Sequence, residues 1–134
     1  MTVLLSEQRL VQTSEDVVST RQAVRQRAVE LGFNLVDQTK IVTAASELAR
    51  NTLQYGGGGA VTIDAVEELG RQGLRLAFED SGPGIPDVQL ALKDGFTTGT
   101  GLGLGLSGAR RLSNEFLIDS RVGEGTRVVI TRWR

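Results

Sequence analysis

Between Glu79 and Leu106 the chain reads EDSGPGIPDVQLALKDGFTTGTGLGLGL, and eight of its seventeen glycines fall between Gly82 and Gly108. Glycine weakens the interior of a helix or strand, so this stretch is ill suited to regular structure. Two clusters, Gly82/Gly84 and Gly99/Gly101/Gly103/Gly105, bracket a polar segment. Backbone of this kind allows close approach and unusual dihedrals. Any fold of this chain has to lay something against it.

The flanking sequence supplies the regular elements. Residues 3–11 hold two short apolar pairs around SEQR and predict a strand. Thr13 or Ser14 is suited to an N-cap, with Glu15 and Asp16 in the first turn of a helix. Val17, Val24, Ala28 and Leu31 recur at helical spacing, and Gly32 ends the pattern. A second helix runs from about Asn34 to Tyr55, with Val42, Ala45, Leu48, Ala49 and Leu53 turned inward. Beyond Gly56–Gly59 the period changes to two. Val61, Ile63 and Ala65 alternate with Thr62 and Asp64, and Leu74, Leu76 and Phe78 alternate with Arg75, Ala77 and Glu79. By that parity Asp80 points to the core side. Gly101 to Leu112 reads as a glycine-rich start of a helix whose end carries Arg110 and Arg111, favourable charge at a helix C-terminus. Residues 116–122 and 126–133 form a closing hairpin across Gly123-Glu124-Gly125. The order β-α-α-β-β-loop-α-β-β, without internal repeat or linker, predicts one domain over residues 1–134. The fold class is α/β: a two-layer sandwich, a mixed sheet with its helices on one face.

Composition excludes several functions. Fifteen Lys and Arg against sixteen Asp and Glu give a formal net charge of −1, which offers no broad basic field for nucleic acid or an anionic membrane. The absence of cysteine removes disulfides and thiolate metal sites, and the absence of histidine removes any phosphohistidine. The opening MTVLLSEQRL meets charge too early for a signal peptide, and no apolar run spans a bilayer. A cytoplasmic protein is expected.

Three familiar phosphate motifs fail. Gly103 to Gly108 matches G-x-G-x-x-G, but no strand immediately precedes it and Glu124, about 20 residues on, sits between turn glycines. A eukaryotic-type kinase loop lacks its HRD partner. Neither Lys40 nor Lys93 is followed by Ser or Thr, which excludes a P-loop. Backbone N–H groups at the glycine-rich start of a helix still make an anion site, although such a loop also serves as a plain connector. Asp80, ending an apolar strand on the core face, needs a hydrogen-bond donor. An adenine amino group would suit, with Gly82 and Gly84 clearing space for a flat ring; capping of its own turn would suit as well. Glu47 and Asn51, four apart, share one helix face. They can activate a hydroxyl and hold Mg²⁺, or form an ordinary solvated face.

Taken together, Glu47-x-x-x-Asn51, DSGPGI at 80–85 and GTGLGLGL at 99–106 resemble the N, G1 and G2 boxes of the GHKL superfamily. Over nearly its whole length the chain resembles the bacterial anti-sigma regulatory kinases, most of all the RsbT-type switch kinases. ELGFNLVDQTKIVTAASELARN, EDSGPGIPD, DGFTTG and GEGTRVVITRWR carry that likeness. The resemblance implies a Bergerat-type fold using ATP and Mg²⁺. It makes Glu47 the general base and Asn51 the Mg²⁺ ligand. Asp80 would read the adenine amino group beside Gly82, Gly84, Ile85 and Thr126. Residues 86–99 would form a lid, and Thr98, Gly99, Gly101, Leu102, Gly103, Leu104 and Gly105 would follow the phosphates.

The implied activity is serine/threonine kinase action on a small STAS-domain antagonist in a bacterial partner-switching stress pathway. After release, the kinase would activate a PP2C-type phosphatase, and a larger stressosome-like complex is a further implied partner. The alternative is an anti-sigma factor that sequesters a sigma factor in an ATP-dependent way. A bare ATPase or ATP sensor is disfavoured, because Glu47 and the glycine loops are intact.

Overall fold

The structure is a computed structural model, described here for residues 1–93 and 105–134. Five strands and four helices follow in the order β1 (Thr2–Val11), α1 (Ser14–Glu30), α2 (Leu35–Gln54), β2 (Gly59–Glu68), β3 (Arg71–Asp80), α3 (Val88–Ala91), α4 (Gly105–Arg111), β4 (Glu115–Arg121) and β5 (Gly125–Trp133). Only the single turn of α3 was unforeseen. It is capped by Asp87, which accepts the Leu90 N–H at 3.0 Å, and none of its residues is buried.

Local chemistry sets the helix ends. Thr13 caps α1 by accepting the Asp16 N–H at 3.1 Å, and the Asp16 carboxylate accepts the N–H groups of Gln12 and Thr13 in return. This reciprocal pairing satisfies donors that a helix start leaves open. Gly32, at φ +83°, ends α1. Its N–H reaches the Val29 carbonyl and the Phe33 N–H reaches that of Ala28, while the Phe33 ring is buried. Asn34 then caps α2 through the Asp37 N–H at 2.8 Å. Three residues separate the end of α1 from the cap of α2, so the two helices fold back as a hairpin.

The sheet order is β1-β2-β3-β5-β4. The two-layer sandwich stands, but every hydrogen-bonded pair is antiparallel rather than mixed. The reason lies in the last connection. β3 and β4 run the same way, yet β5 turns back from β4 and inserts between them, so the two like-directed strands never pair.

Val61, Ile63, Leu74, Leu76, Phe78, Val128 and Ile130 pack from the sheet against Val24, Ala28, Ile41, Ala44, Ala45, Leu48 and Ala49 of α1 and α2. α1, α2 and the shorter α4 all contribute to this one cluster, which places them on one face. Val42 and Leu53, expected in the core, are half-buried at its margin. Arg132 of β5 ties the layers together: it donates to Asp37 at 2.7 Å and to the Leu112 carbonyl at 3.0 Å. The opposite face holds the Asp64–Arg75 ion pair at 3.0 Å and Arg71 stacked 4.2 Å over the Trp133 ring. No helix among the described residues is long and apolar enough to cross a membrane.

Candidate functional site

A cavity of about 490 Å³ opens between α2 and the end of the sheet where β3 finishes. Leu48, Phe78, Ile85, Leu106 and Val128 give it an apolar lining, and Asn51, Thr52, Asp80 and Thr126 supply polar groups. A mostly apolar cleft with a few placed polar groups is the usual form of a small-molecule site.

Asp80 lies on the helix side of the sheet, as the strand parity predicts. Register sets it opposite Thr126 on β5 and opposite Gly59 on β2. Its Oδ1 accepts the Gly82 N–H at 3.0 Å, so it does cap its own turn. Among the described residues Oδ2 has no hydrogen bond, and it faces Gly56, where an added Cβ would collide with the carboxyl group. One oxygen orients the side chain and the other stays available to a donor in the cavity. Gly82 passes so close to Gly56 that a Cβ would sit 2.7 Å from its main-chain Cα. Backbone packed this tightly carries the turn across the end of α2.

Gly84, at φ +77°, turns the chain toward Ile85. The Ile85 N–H donates to Ser120 Oγ at 2.8 Å, and Ser120 Oγ lies 2.7 Å from Thr126 Oγ1. Asp80, Thr126 and Ser120 therefore form a polar row across β3, β5 and β4. Ser120 was missed by sequence reasoning. Its signal was available: it shares the inward parity of Phe116 and Ile118, where a polar side chain requires a partner.

The structure brings Asn51 into the cavity but places Glu47 outside it. Glu47, one turn earlier on α2, lines a separate groove of about 380 Å³ with Arg21, Gln22 and Arg25 of α1 and Val42, Thr43 and Ser46 of α2. Arg50 donates to Glu47 Oε1 at 3.0 Å and to Ser46 Oγ at 3.4 Å. The spacing puts Glu47 and Asn51 on one face, and α1 decides which cavity each borders. The Asn51 amide makes no hydrogen bond among the described residues, and no group of three or more acidic, His or Cys side chains there forms a metal cage.

Of the expected lid, Pro86, Asp87, Leu90 and Ala91 line the cavity, and Gly105 lines its far side. Thr98, Gly99, Gly101, Leu102, Gly103 and Leu104 lie outside the described residues, as do residues 94–97 of the lid. The residues present fit a purine nucleotide: a largely apolar cavity ends on a carboxylate oxygen that accepts no hydrogen bond among the described residues. A single free amide suits Mg²⁺, which keeps much of its water and binds chiefly through phosphates.

Residues 36–133 match the family described as histidine kinase-, DNA gyrase B- and HSP90-like ATPases. The serine/threonine-protein kinase RsbT of Bacillus subtilis is 48% identical over 123 residues, 92% of each chain. The anti-sigma F factor of Geobacillus kaustophilus is 29% identical over 126 residues, covering 89% of this chain and 85% of that protein. In fold, the chain is similar to a Mycobacterium tuberculosis protein with RsbU and RsbW domains, with a TM-score of 0.68, 23% identity and coverage of 97% of this chain and 33% of that one. A five-stranded sheet with α1, α2 and α4 on one face agrees with these matches. The chain belongs to the histidine kinase-, DNA gyrase B- and HSP90-like ATPase family and, within it, to the RsbT-type serine/threonine-protein kinases.

Proposed function

We propose that the protein transfers the γ-phosphoryl group of ATP to a Ser or Thr hydroxyl of a STAS-domain antagonist within a partner-switching pathway. Once released, it would activate a PP2C-type phosphatase. The observation that carries this reading is the placement of Glu47 and Asn51 on adjacent turns of α2, bordering different cavities. A nucleotide and a protein hydroxyl can then approach the same helix from two sides.

Bound Mg-ATP supplies the phosphoryl group and the cation that offsets its charge. Asp80 Oδ2 accepts the adenine amino group, with Ile85 and Thr126 beside the base. Asn51 offers its amide oxygen to Mg²⁺. Glu47 accepts the proton of a hydroxyl presented from the α1–α2 groove. Positioning by these groups carries most of the catalysis, since phosphoryl transfer needs little covalent help from the protein.

Labelling with Mg-[γ-³²P]ATP and purified STAS-domain proteins from the same genome tests the reading. Glu47→Ala is expected to bind nucleotide normally and to lose transfer, by about 100-fold or more for a general base. Asp80→Asn is expected to lose binding first, measured by calorimetry. Normal transfer by Glu47→Ala removes the base assignment. The similarity to anti-sigma F factors favours a second reading, ATP-dependent sequestration of a sigma factor. ATP binding without labelling of any STAS-domain protein, together with a stable sigma-factor complex in gel filtration, selects it.

A further inference from the structure

Glu47 is not free on its helix. Arg50, three residues on, grips Oε1 at 3.0 Å and is itself anchored on Ser46 Oγ at 3.4 Å. Among the described residues Oε2 has no hydrogen bond. An exposed i,i+3 ion pair does little for stability, but here the carboxylate's side chain is 16% exposed and borders a groove. At about 100° per residue, Arg50 lies roughly 60° to one side of Glu47 and Asn51 roughly 40° to the other. The arginine and the nucleotide cavity therefore flank the carboxylate from opposite sides. Glutamate has three rotatable torsions and can swing either way; the salt bridge selects the groove.

We infer that Arg50 is a positioning residue that holds Glu47 on the acceptor side of α2, so that the protein phosphorylates a protein hydroxyl rather than water. The inference rests on Glu47 being the general base. With Oε1 held, Oε2 takes the acceptor hydroxyl's proton. The hydroxyl oxygen bonds to the γ-phosphorus, the bond from that phosphorus to the β,γ-bridging oxygen breaks, and ADP leaves with the electron pair. Released from Arg50, the same carboxylate can turn toward Asn51 and take a proton from water in the nucleotide cavity, giving phosphate and ADP instead. A base oriented by a third group is a recurring device in activated nucleophiles. Arginine suits the task because its planar fork reaches two acceptors at once, which lysine cannot do in the same geometry.

The test measures two rates on the intact protein: transfer to the STAS-domain acceptor, and hydrolysis of Mg-ATP with no acceptor present. Arg50→Met keeps the stem and removes the fork. It is expected to lower transfer about tenfold and raise hydrolysis several-fold, with KM for ATP within about twofold. Arg50→Lys, which keeps the charge but loses the fork, is expected to recover transfer only in part, to about threefold below the parent. Arg50→Gln serves if the methionine variant folds poorly. The inference is overturned if Arg50→Met leaves both rates unchanged or lowers both together. Glu47→Gln and the double variant separate the two claims. Loss of transfer in Glu47→Gln with an unaffected Arg50→Met keeps the base and removes the arginine's role. Hydrolysis that stays raised in the Glu47→Gln/Arg50→Met protein removes the base, and the inference with it.

Discussion

A serine hydroxyl has one proton to give and two lone pairs to offer, and Ser120 uses them to join two parts of the cavity lining. It accepts the Ile85 N–H, which fixes the turn after Gly84, and it meets Thr126 Oγ1 on the neighbouring strand. Ser120→Ala leaves the Ile85 N–H without its partner, at a cost of about 1 kcal/mol. If the turn has to be in place for binding, Mg-ATP affinity falls about fivefold in calorimetry; an unchanged affinity means the turn holds without the serine. At this scale the sequence was informative wherever chemistry and parity coincide. Asp80 was placed on the core side by alternation alone, and register sets it beside Thr126. Glu47 and Asn51 were placed on one face by spacing. Their division between two cavities was not legible, because it depends on α1, whose packing no spacing within α2 encodes. Arg50 escaped notice for a similar reason: an E-x-x-R pair on a helix is commonplace until its carboxylate has a task.

Elements were the most legible level. The boundaries of α1 and α2 follow from caps within a few residues of each end, and such signals depend little on tertiary context. Thr13→Ala breaks the reciprocal cap at the start of α1, and the midpoint of urea unfolding is expected to fall by the equivalent of about 1 kcal/mol. An unchanged midpoint would mean that the Asp16 carboxylate alone, bonded to the Gln12 and Thr13 N–H groups, suffices. β2 and β3 were read from their period of two, β1 from its short apolar pairs and β4 and β5 as a hairpin, and all five are present. The single turn of α3 carried no periodic signal: four residues with none buried give the pattern nothing to register.

Sheet order belongs to the whole molecule and left the weakest trace in the sequence. Hairpins predict β2 beside β3 and β4 beside β5, but nothing local says that β5 rather than β4 pairs with β3. The order is held by the backbone pairing of β5 with β3 and β4, and Arg132 with Asp37, far apart in sequence, ties β5 to α2. That pair is largely shielded, with side-chain exposures of 13% and 25%. Arg132→Met strands the carboxylate and the Leu112 carbonyl, and is expected to cost about 2 kcal/mol in denaturant unfolding. Asp37→Asn in the same background should then add little, as coupled partners do. Additive losses would assign the stability to something other than their contact. The position of β5 also orders events during synthesis. A ribosome delivers Glu47, Asn51 and Asp80 well before it delivers Thr126 and Val128, which wall the cavity from a strand inside the sheet. A nascent chain thus carries α2 before the cavity beside it is complete. The cavity lacks that wall until the last strand, β5, has paired with β3.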